Sequence, residues 1–266
     1  MKREDLHKGI KEKFLFVGNQ GTGKTYSPVR IAKLYLIHNK KVKYIDPEGG
    51  AQKEIEKVMD DLTDEQLDNL ELVQTTNHDT FLKHMVGWTE EGSSEIQGIN
   101  YDLKVVDGIA VEMEQHIVKL IQKFLKQGYY EAGGKIVQIK DPDTFLFPWN
   151  AYANVYAGIK QALVVMLDHN YDLVCTSHEF KGGSESQKAL EQSVFAKFDS
   201  VIRLKRNDDT GLPIWTASVL KNRGRERPDK SGELDSVTPL LTYFIKKFGM
   251  DVKDTLKRLG IEEVQQ

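Results

Sequence analysis

The chain has 266 residues, of which 39% are hydrophobic and 29% are charged, and its formal net charge is -3 at pH 7. This composition is typical of a globular protein with one sizeable core, and the slight acidic balance means that any nucleic-acid binding must come from a local basic patch. A single cysteine, Cys175, excludes a disulfide within the chain and a cysteine-rich zinc site. The sequence has no signal-peptide pattern and no apolar run of membrane-spanning length, so we expect a cytoplasmic protein without a membrane partner.

Short apolar runs alternate with amphipathic stretches along most of the chain. Residues 14–17 predict a buried strand that ends at Gly18, and residues 24–39 predict the helix that follows it. Further strands are predicted at 42–46, 71–74, 103–107 and 172–177, and further helices at 108–127 and 152–169. This alternation predicts an α/β fold with a mostly parallel central sheet and helices on both faces.

The pattern changes towards the C-terminus. Residues 201–205 and 214–220 predict two strands joined through 207–211, which indicates a C-terminal antiparallel hairpin. A small helical tail is predicted from residue 237, so we divide the chain into a core of residues 1–234 and a tail of residues 235–266. The stretches that are weakest for order, being rich in Gly, Ser or charge, are 89–98, 128–134 and 181–191.

The first predicted strand leads directly into the pattern G-x-x-x-x-G-K-[ST], and a predicted helix follows it. Glycines in such a loop let successive backbone N–H groups curl around phosphates, and the helix N-terminus adds its dipole. Lys24 is expected to reach the β- and γ-phosphates, and the Thr25 hydroxyl is expected to ligate Mg²⁺. The sequence therefore predicts binding of a nucleoside triphosphate, ATP with Mg²⁺. The expected nucleotide-binding residues are Gly18, Asn19, Gln20, Gly21, Thr22, Gly23, Lys24, Thr25 and Tyr26.

Acidic residues follow two of the other predicted strands. A phosphate loop needs a carboxylate at the end of a neighbouring strand to hold the metal, and Asp107 is the candidate; the alternative is that it caps the next helix. Glu48 is the candidate general base that polarises the attacking water. Asp46 competes for that role, and Glu48 has the alternative of a solvated loop acid.

The order of these motifs resembles the RecA-like P-loop ATPases. In that family the catalytic glutamate follows the second core strand, and the segment YIDPEGG at residues 44–50 places Glu48 in that position. The segment VVDG at residues 105–108 resembles the Walker B strand, with Gly108 where the family usually has serine. The resemblance covers residues 12–230 and is nearest to short phage or archaeal-virus members related to the RecA, RadA and KaiC core domains.

Three later segments extend the resemblance. The strand at 172–177 leads to His178, where the family has a polar residue that senses the γ-phosphate; the alternative is a histidine satisfied by local hydrogen bonds. Residues 181–186 occupy the position of the family's DNA-contacting loop. Lys221 and Arg223 resemble the strand-end cations that reach a neighbouring subunit's nucleotide site.

The basic segment at 221–230 has more than one interpretation. Lys221 and Arg223 alternate, so they lie on one face if the strand continues, which favours them over Arg225 and Arg227 as fingers supplied to a neighbour. The alternatives are contact with a DNA backbone and a solvated charged loop.

The resemblance implies an ATP hydrolase whose catalytic residues are Lys24, Glu48, His178, Lys221 and Arg223, with Thr25 and Asp107 at the metal. It also implies a homo-oligomer, a ring or filament with nucleotides at subunit interfaces, and a DNA partner, single-stranded DNA being favoured, in recombination or replication. The alternatives are a ring-forming motor on duplex DNA, a KaiC-like protein switch without DNA, and a small-molecule kinase. A kinase is disfavoured because the sequence has no arginine-rich lid before Gly211.

Overall fold

The computed structural model describes residues 11–87, 101–178, 196–207, 214–222, 233–234, 241, 244–246 and 248–259. Its strands are β1 (Lys13–Gly18), β2 (Val42–Asp46), β3 (Leu70–Gln74), β4 (Leu103–Val106), β5 (Tyr129–Ala132), β6 (Lys135–Gln138), β7 (Asp172–His178), β8 (Ser200–Asn207), β9 (Ile214–Asn222) and β10 (Glu233–Leu234). Its helices are α1 (Tyr26–Ile37), α2 (Ala51–Val58), α3 (Asp64–Leu67), α4 (His78–Val86), α5 (Ile109–Gln127), α6 (Trp149–Asp168) and α7 (Val252–Arg258). Within these ranges, no helix combines the length and the apolar character that crossing a membrane requires.

The main sheet has the strand order β10-β9-β8-β1-β7-β4-β2-β3. All strands from β8 to β3 in this order are parallel to one another. Strand β9 runs antiparallel to β8, and β10 runs antiparallel to β9. The predicted α/β fold and its C-terminal antiparallel hairpin are therefore confirmed, although the connecting residues 208–213 lie outside the described part.

Both faces of the sheet are covered by helices, and alternate side chains of β1 pack against the two faces. Phe14 and Phe16 point into a core cluster that includes residues of α1 and α2. Leu15 and Val17 point into a second cluster that includes residues of α4, α5 and α6. Because successive side chains of a strand point to opposite faces, an uninterrupted apolar strand such as β1 needs a core on each side.

The described residues after position 235 pack on the α1 face of the sheet. Leu241, Phe244, Ile245 and Leu256 are buried in the same cluster as the α1 side chains. The Nε of Arg30 in α1 also donates to the carbonyl oxygen of Leu259 at 3.1 Å. This C-terminal segment thus contributes to the core, and the division of the chain at residue 234 stays a prediction.

A small hairpin lies between α5 and α6, where the sequence suggested weak order at 128–134. Strands β5 and β6 pair antiparallel, and Gly133 and Gly134 join them with φ values of 57° and 74°. Two positive φ values in succession are what a two-residue hairpin turn of this kind requires, and glycine supplies them without steric strain. The expectation for 128–134 is therefore wrong, whereas the stretches 89–98 and 181–191 lie outside the described residues.

Candidate nucleotide-binding site

Four neighbouring parallel strands bring the predicted site residues to one edge of the sheet. Strand β1 ends at Gly18, which pairs in register with His178 at the end of β7. Asp107 follows β4, and Glu48 lies two residues after the end of β2. Because the order is β1-β7-β4-β2, these residues meet at the carboxyl edge, where ligands bind in open α/β sheets.

The phosphate loop turns tightly between β1 and α1. Gly21 and Gly23 have φ values of 76° and 82°, in the left-handed region. A Cβ atom at Gly18 would lie 2.6 Å from the carbonyl oxygen of Leu204, so β8 approaches the loop this closely only because residue 18 has no side chain. The loop therefore has the compact backbone that its glycines predict.

Lys24 directs its ammonium group across the loop. Its Nζ donates to the carbonyl oxygen of Asn19 at 2.7 Å. Burial lowers the pKa of Lys24, and the carboxylates of Glu48 and Asp107 oppose this shift. The lysine of the loop thus lies within electrostatic range of both predicted acids.

Thr25 and Tyr26 begin α1 but face different surroundings. Thr25 is the N-cap residue, and its side chain makes no capping hydrogen bond, so its hydroxyl is not used by the helix. The ring of Tyr26 covers the guanidinium of Arg30 at 3.3 Å. Arg30 is itself ion-paired with Glu54 of α2 at 2.7 Å. The Tyr26 side chain therefore takes part in the packing of α1 and α2.

Asp107 is held in one orientation by two buried hydroxyl groups. The Tyr44 hydroxyl donates to Oδ2 at 3.0 Å, and the Thr176 hydroxyl donates to Oδ1 at 2.6 Å. Thr176 also accepts the backbone N–H of Gly108 at 2.8 Å. Gly108 is the N-cap of α5, which has no side-chain cap, so the carboxylate of Asp107 is fixed by the sheet rather than by capping.

Asp46 holds the turn that follows β2. Its Oδ1 accepts the backbone N–H groups of Glu48 at 3.1 Å and Gly49 at 3.0 Å, and its Oδ2 accepts that of Ala51 at 2.8 Å. The residue is almost fully buried. Burial raises the pKa of Asp46, and these three hydrogen bonds oppose that shift. Because both oxygens of Asp46 already accept backbone donors of the turn, Asp46 and Glu48 differ in role by their contacts.

Glu48 projects from this turn towards the junction of β4 and α5. The residue as a whole is exposed, but its side chain leans over Gly108, where a Cβ atom would lie 3.1 Å from Cδ and 3.2 Å from Cγ. Partial burial of the carboxyl group raises the pKa of Glu48, as do Asp107 and Asp46, whereas Lys24 lowers it. A raised pKa suits a group that accepts a proton near neutral pH.

His178 lies beside the phosphate loop, and an acid from α5 faces both it and Glu48. Burial lowers the pKa of His178, Lys24 lowers it further, and Glu114 opposes the shift. Glu114 also raises the pKa of Glu48. Glu114 was not among the site residues predicted from the sequence. It lies about two helical turns after Asp107 on a predicted helix, and that spacing is the signal that could have found it.

Arg206 is a second residue that the sequence analysis missed. Strand β8 extends three residues beyond Leu204, which pairs with Gly18, and so reaches past the start of the loop. The Nη1 atom of Arg206 lies 3.5 Å from the position that a Cβ atom would take at Gly21. The predicted strand ended at residue 205, so the extension that carries this cation to the loop was not foreseen.

The backbone of Lys221, one of the predicted trans-acting cations, does not lie at this edge. The backbone of Lys221 pairs with Val201 near the start of β8, three residues before Leu204. At 3.3 Å per residue, Lys221 is therefore about 10 Å from the level of Gly18, towards the amino edge. Its side chain lies outside the described part, and so do Arg223, Arg225, Arg227 and the predicted DNA-contacting loop at 181–186.

No protein-family model matches the sequence, and a search of the curated proteins finds no match. Among solved structures, the chain is similar to a KaiC-like protein from the archaeon Pyrococcus horikoshii, with a TM-score of 0.50 and 14% identity over 82% of this chain and 83% of that chain. It is also similar to the flagellar accessory protein FlaH from Methanocaldococcus jannaschii, with a TM-score of 0.47 and 17% identity over 84% of this chain and 86% of that chain. For the RadB recombinase the TM-score is 0.47 and the identity 16%, over 80% of this chain and 83% of that chain.

At these identities the likeness concerns the fold. It agrees with the strand order and with the phosphate loop at the end of β1. The chain therefore has the RecA-like α/β fold, with a P-loop at the carboxyl edge of its sheet.

Proposed function

We propose that the protein is an ATP hydrolase that uses Mg²⁺ and the carboxyl edge of the sheet described above. The observation that carries this proposal is the convergence of three groups at that edge. Lys24 lies in electrostatic range of Asp107 and Glu48, although these residues come from three different strand ends. A cation for phosphate, an oriented carboxylate for a metal and a carboxylate of raised pKa for a proton are the parts that phosphoryl transfer to water needs.

The residues present fit a nucleotide with its metal. The loop has the tight glycine backbone that exposes N–H groups to phosphate, and the N-terminus of α1 follows it. Thr25 has a hydroxyl that the helix does not use, and the buried Asp107 has a fixed orientation. Mg²⁺ bound by Thr25 and Asp107 would neutralise charge on the phosphates.

Each protein group then has a defined task. Lys24 binds and orients the β- and γ-phosphates. Glu48 accepts a proton from the attacking water, and its raised pKa makes it a stronger base than an ordinary glutamate. His178 pairs with Gly18 and is within electrostatic range of Lys24, which supports a role in responding to the terminal phosphate.

We further propose that the protein assembles into a ring or filament and couples hydrolysis to DNA, with single-stranded DNA favoured. What supports assembly is the location of Lys221 towards the amino edge, remote from the phosphate loop of its own chain. Lys221 and Arg223 would then act at the nucleotide of a neighbouring subunit. The resemblance to RecA-like ATPases supports the DNA partner and its role in recombination or replication.

The test is steady-state ATP turnover with Mg²⁺, with EDTA, and with added single-stranded or duplex DNA. We expect turnover that needs Mg²⁺ and rises with single-stranded DNA, with a steep salt dependence of the stimulation. Stimulation by duplex DNA alone would favour a translocating or packaging motor. Oligomers whose turnover no nucleic acid changes would favour a KaiC-like switch. Absence of Mg²⁺-dependent ATP turnover under every condition would contradict the proposed activity.

A further inference from the structure

At Gly108, two chain segments of the site lie in close contact. It is the N-cap of α5, with φ 101° and ψ 42°, and it directly follows Asp107. A Cβ atom built on it would overlap the side chain of Glu48, with the Oε1 atom nearest and with Cδ and Cγ at 3.1 and 3.2 Å. The side chain of Glu48 therefore occupies the space that any side chain at position 108 would need.

The backbone of Glu48 has little freedom to move away from this contact. Three hydrogen bonds from residues 48, 49 and 51 to the buried carboxylate of Asp46 hold the turn. Gly108 is also fixed, because its N–H donates to Thr176 at 2.8 Å. If residue 108 were larger, the part free to move would be the Glu48 side chain, and its carboxyl group would have to leave the junction.

We propose that Gly108 is a positioning residue, whose missing side chain lets Glu48 place its carboxyl group over the end of β4, beside Asp107. The inference deepens the proposed function and rests on it, because Glu48 is the proposed base. Gly108 itself contacts no substrate in this account. Its effect on hydrolysis passes entirely through the location of the Glu48 carboxyl group.

The first test compares Gly108→Ala with Gly128→Ala. Gly128 is the C-cap at the other end of the same helix, has φ 75°, and has nothing within 4 Å of a built Cβ atom. Alanine is therefore strained at both positions, but it meets Glu48 only at position 108. We expect Gly108→Ala to lower kcat by at least about tenfold with little change in the KM for ATP, and Gly128→Ala to leave both constants unchanged. Gly108→Asn is a second probe, because asparagine tolerates a positive φ better than alanine does.

The decisive test is a double-mutant cycle with Glu48→Gln. If Gly108 acts through Glu48, then Gly108→Ala should lower kcat in the wild-type background and have no further effect in the Glu48→Gln background. A full additional loss in that background, or normal kcat for both position-108 variants, would overturn the inference. Normal turnover of Glu48→Gln alone would instead overturn the proposed role of Glu48, so the two failures are distinguishable.

Discussion

Two acids at the end of β2 show how the surroundings of a residue decide its role. Asp46 and Glu48 are two residues apart, and both were candidates for the general base. The backbone turns so that three N–H groups donate to the carboxylate of Asp46. The Glu48 side chain instead lies against Gly108, and Asp107 raises its pKa. Asp46 therefore stabilises the turn, and the turn directs the Glu48 side chain towards Gly108.

Glu48→Gln should retain ATP binding and hydrolyse it slowly, with kcat reduced by about 10²-fold or more, because glutamine cannot accept the proton. Asp46→Asn should act mainly on stability. It replaces one acceptor oxygen with an NH₂ group that faces a backbone donor, which should reduce the free energy of unfolding by about 1–3 kcal/mol. Turnover at saturating ATP and urea denaturation of both variants measure the difference. Unchanged kcat in Glu48→Gln would assign the base to another residue.

His178 gives a prediction about pH. Because burial and Lys24 lower its pKa below the ordinary value of 6.5, the ring is neutral at pH 7 and above. His178→Gln replaces the ring with another neutral polar group, so the kcat/KM profiles of the two proteins should be parallel from pH 7 to pH 8. The profiles should diverge only below pH 6.5, where the wild-type ring gains a proton. Divergence that begins above pH 7 would show that the charged form of His178 is the functional one.

At the scale of elements, the junction of β4 and α5 depends on contacts from two neighbouring strands. Tyr44 on β2 and Thr176 on β7 donate to the two oxygens of Asp107 from opposite sides of β4. Burial and Asp107 raise the pKa of Tyr44 well above its ordinary value, so its hydroxyl keeps its proton and remains a donor. The orientation of Asp107 is thus a property of three adjacent strands.

Tyr44→Phe tests this orientation, and Tyr35→Phe is its control. Tyr35 is equally buried, and its hydroxyl donates to another buried acid, Asp172, at 2.5 Å. Each variant leaves a buried carboxylate short of one donor, so both should lose about 1–3 kcal/mol of unfolding free energy. Only Tyr44→Phe should raise the Mg²⁺ concentration needed for half-maximal turnover. Equal Mg²⁺ requirements in the two variants would mean that Tyr44 does not orient a metal ligand.

The parts of this structure that were predictable are local in the sequence. The phosphate loop is eight consecutive residues between an apolar strand and a helix, so the pattern alone locates it. The hydrogen bonds to Asp107 are different, since Tyr44 and Thr176 are 63 and 69 residues away from it. They depend on which strands become neighbours, as does the contact between Glu48 and Gly108. The glycine at position 108 was visible in the sequence, but its close approach to Glu48 was not.

At the scale of the whole molecule, the sheet separates two sets of charged residues. The carboxyl edge of the parallel strands has the phosphate loop with Glu48 and Asp107. Lys221, on the antiparallel β9, lies towards their amino edge. Lys221 and the residues of the carboxyl edge, which the sequence suggested for one site, are thus apart in a single chain. The role proposed for Lys221 therefore requires a second copy of the chain.

Mixing two inactive variants tests that arrangement. Lys24→Ala subunits lack the phosphate-loop lysine, and Lys221→Ala subunits lack the proposed trans cation. Each alone should have little activity, but mixed oligomers contain some interfaces with an intact loop on one side and an intact Lys221 on the other, so part of the turnover should return. Native mass measurement establishes that mixed oligomers form. Mixed oligomers without any recovered turnover would contradict a role for Lys221 in trans.

The claim on which all these roles depend is that the loop around Lys24 binds ATP. Equilibrium titration of ATP with Mg²⁺ tests it directly in the wild type, in Lys24→Ala and in Lys57→Ala, which removes an exposed lysine of α2 as a control. We predict saturable binding to the wild type and to Lys57→Ala, and an affinity at least about tenfold weaker for Lys24→Ala, since one charge-assisted contact to phosphate is lost. Equal affinity of Lys24→Ala and the wild type would contradict the account.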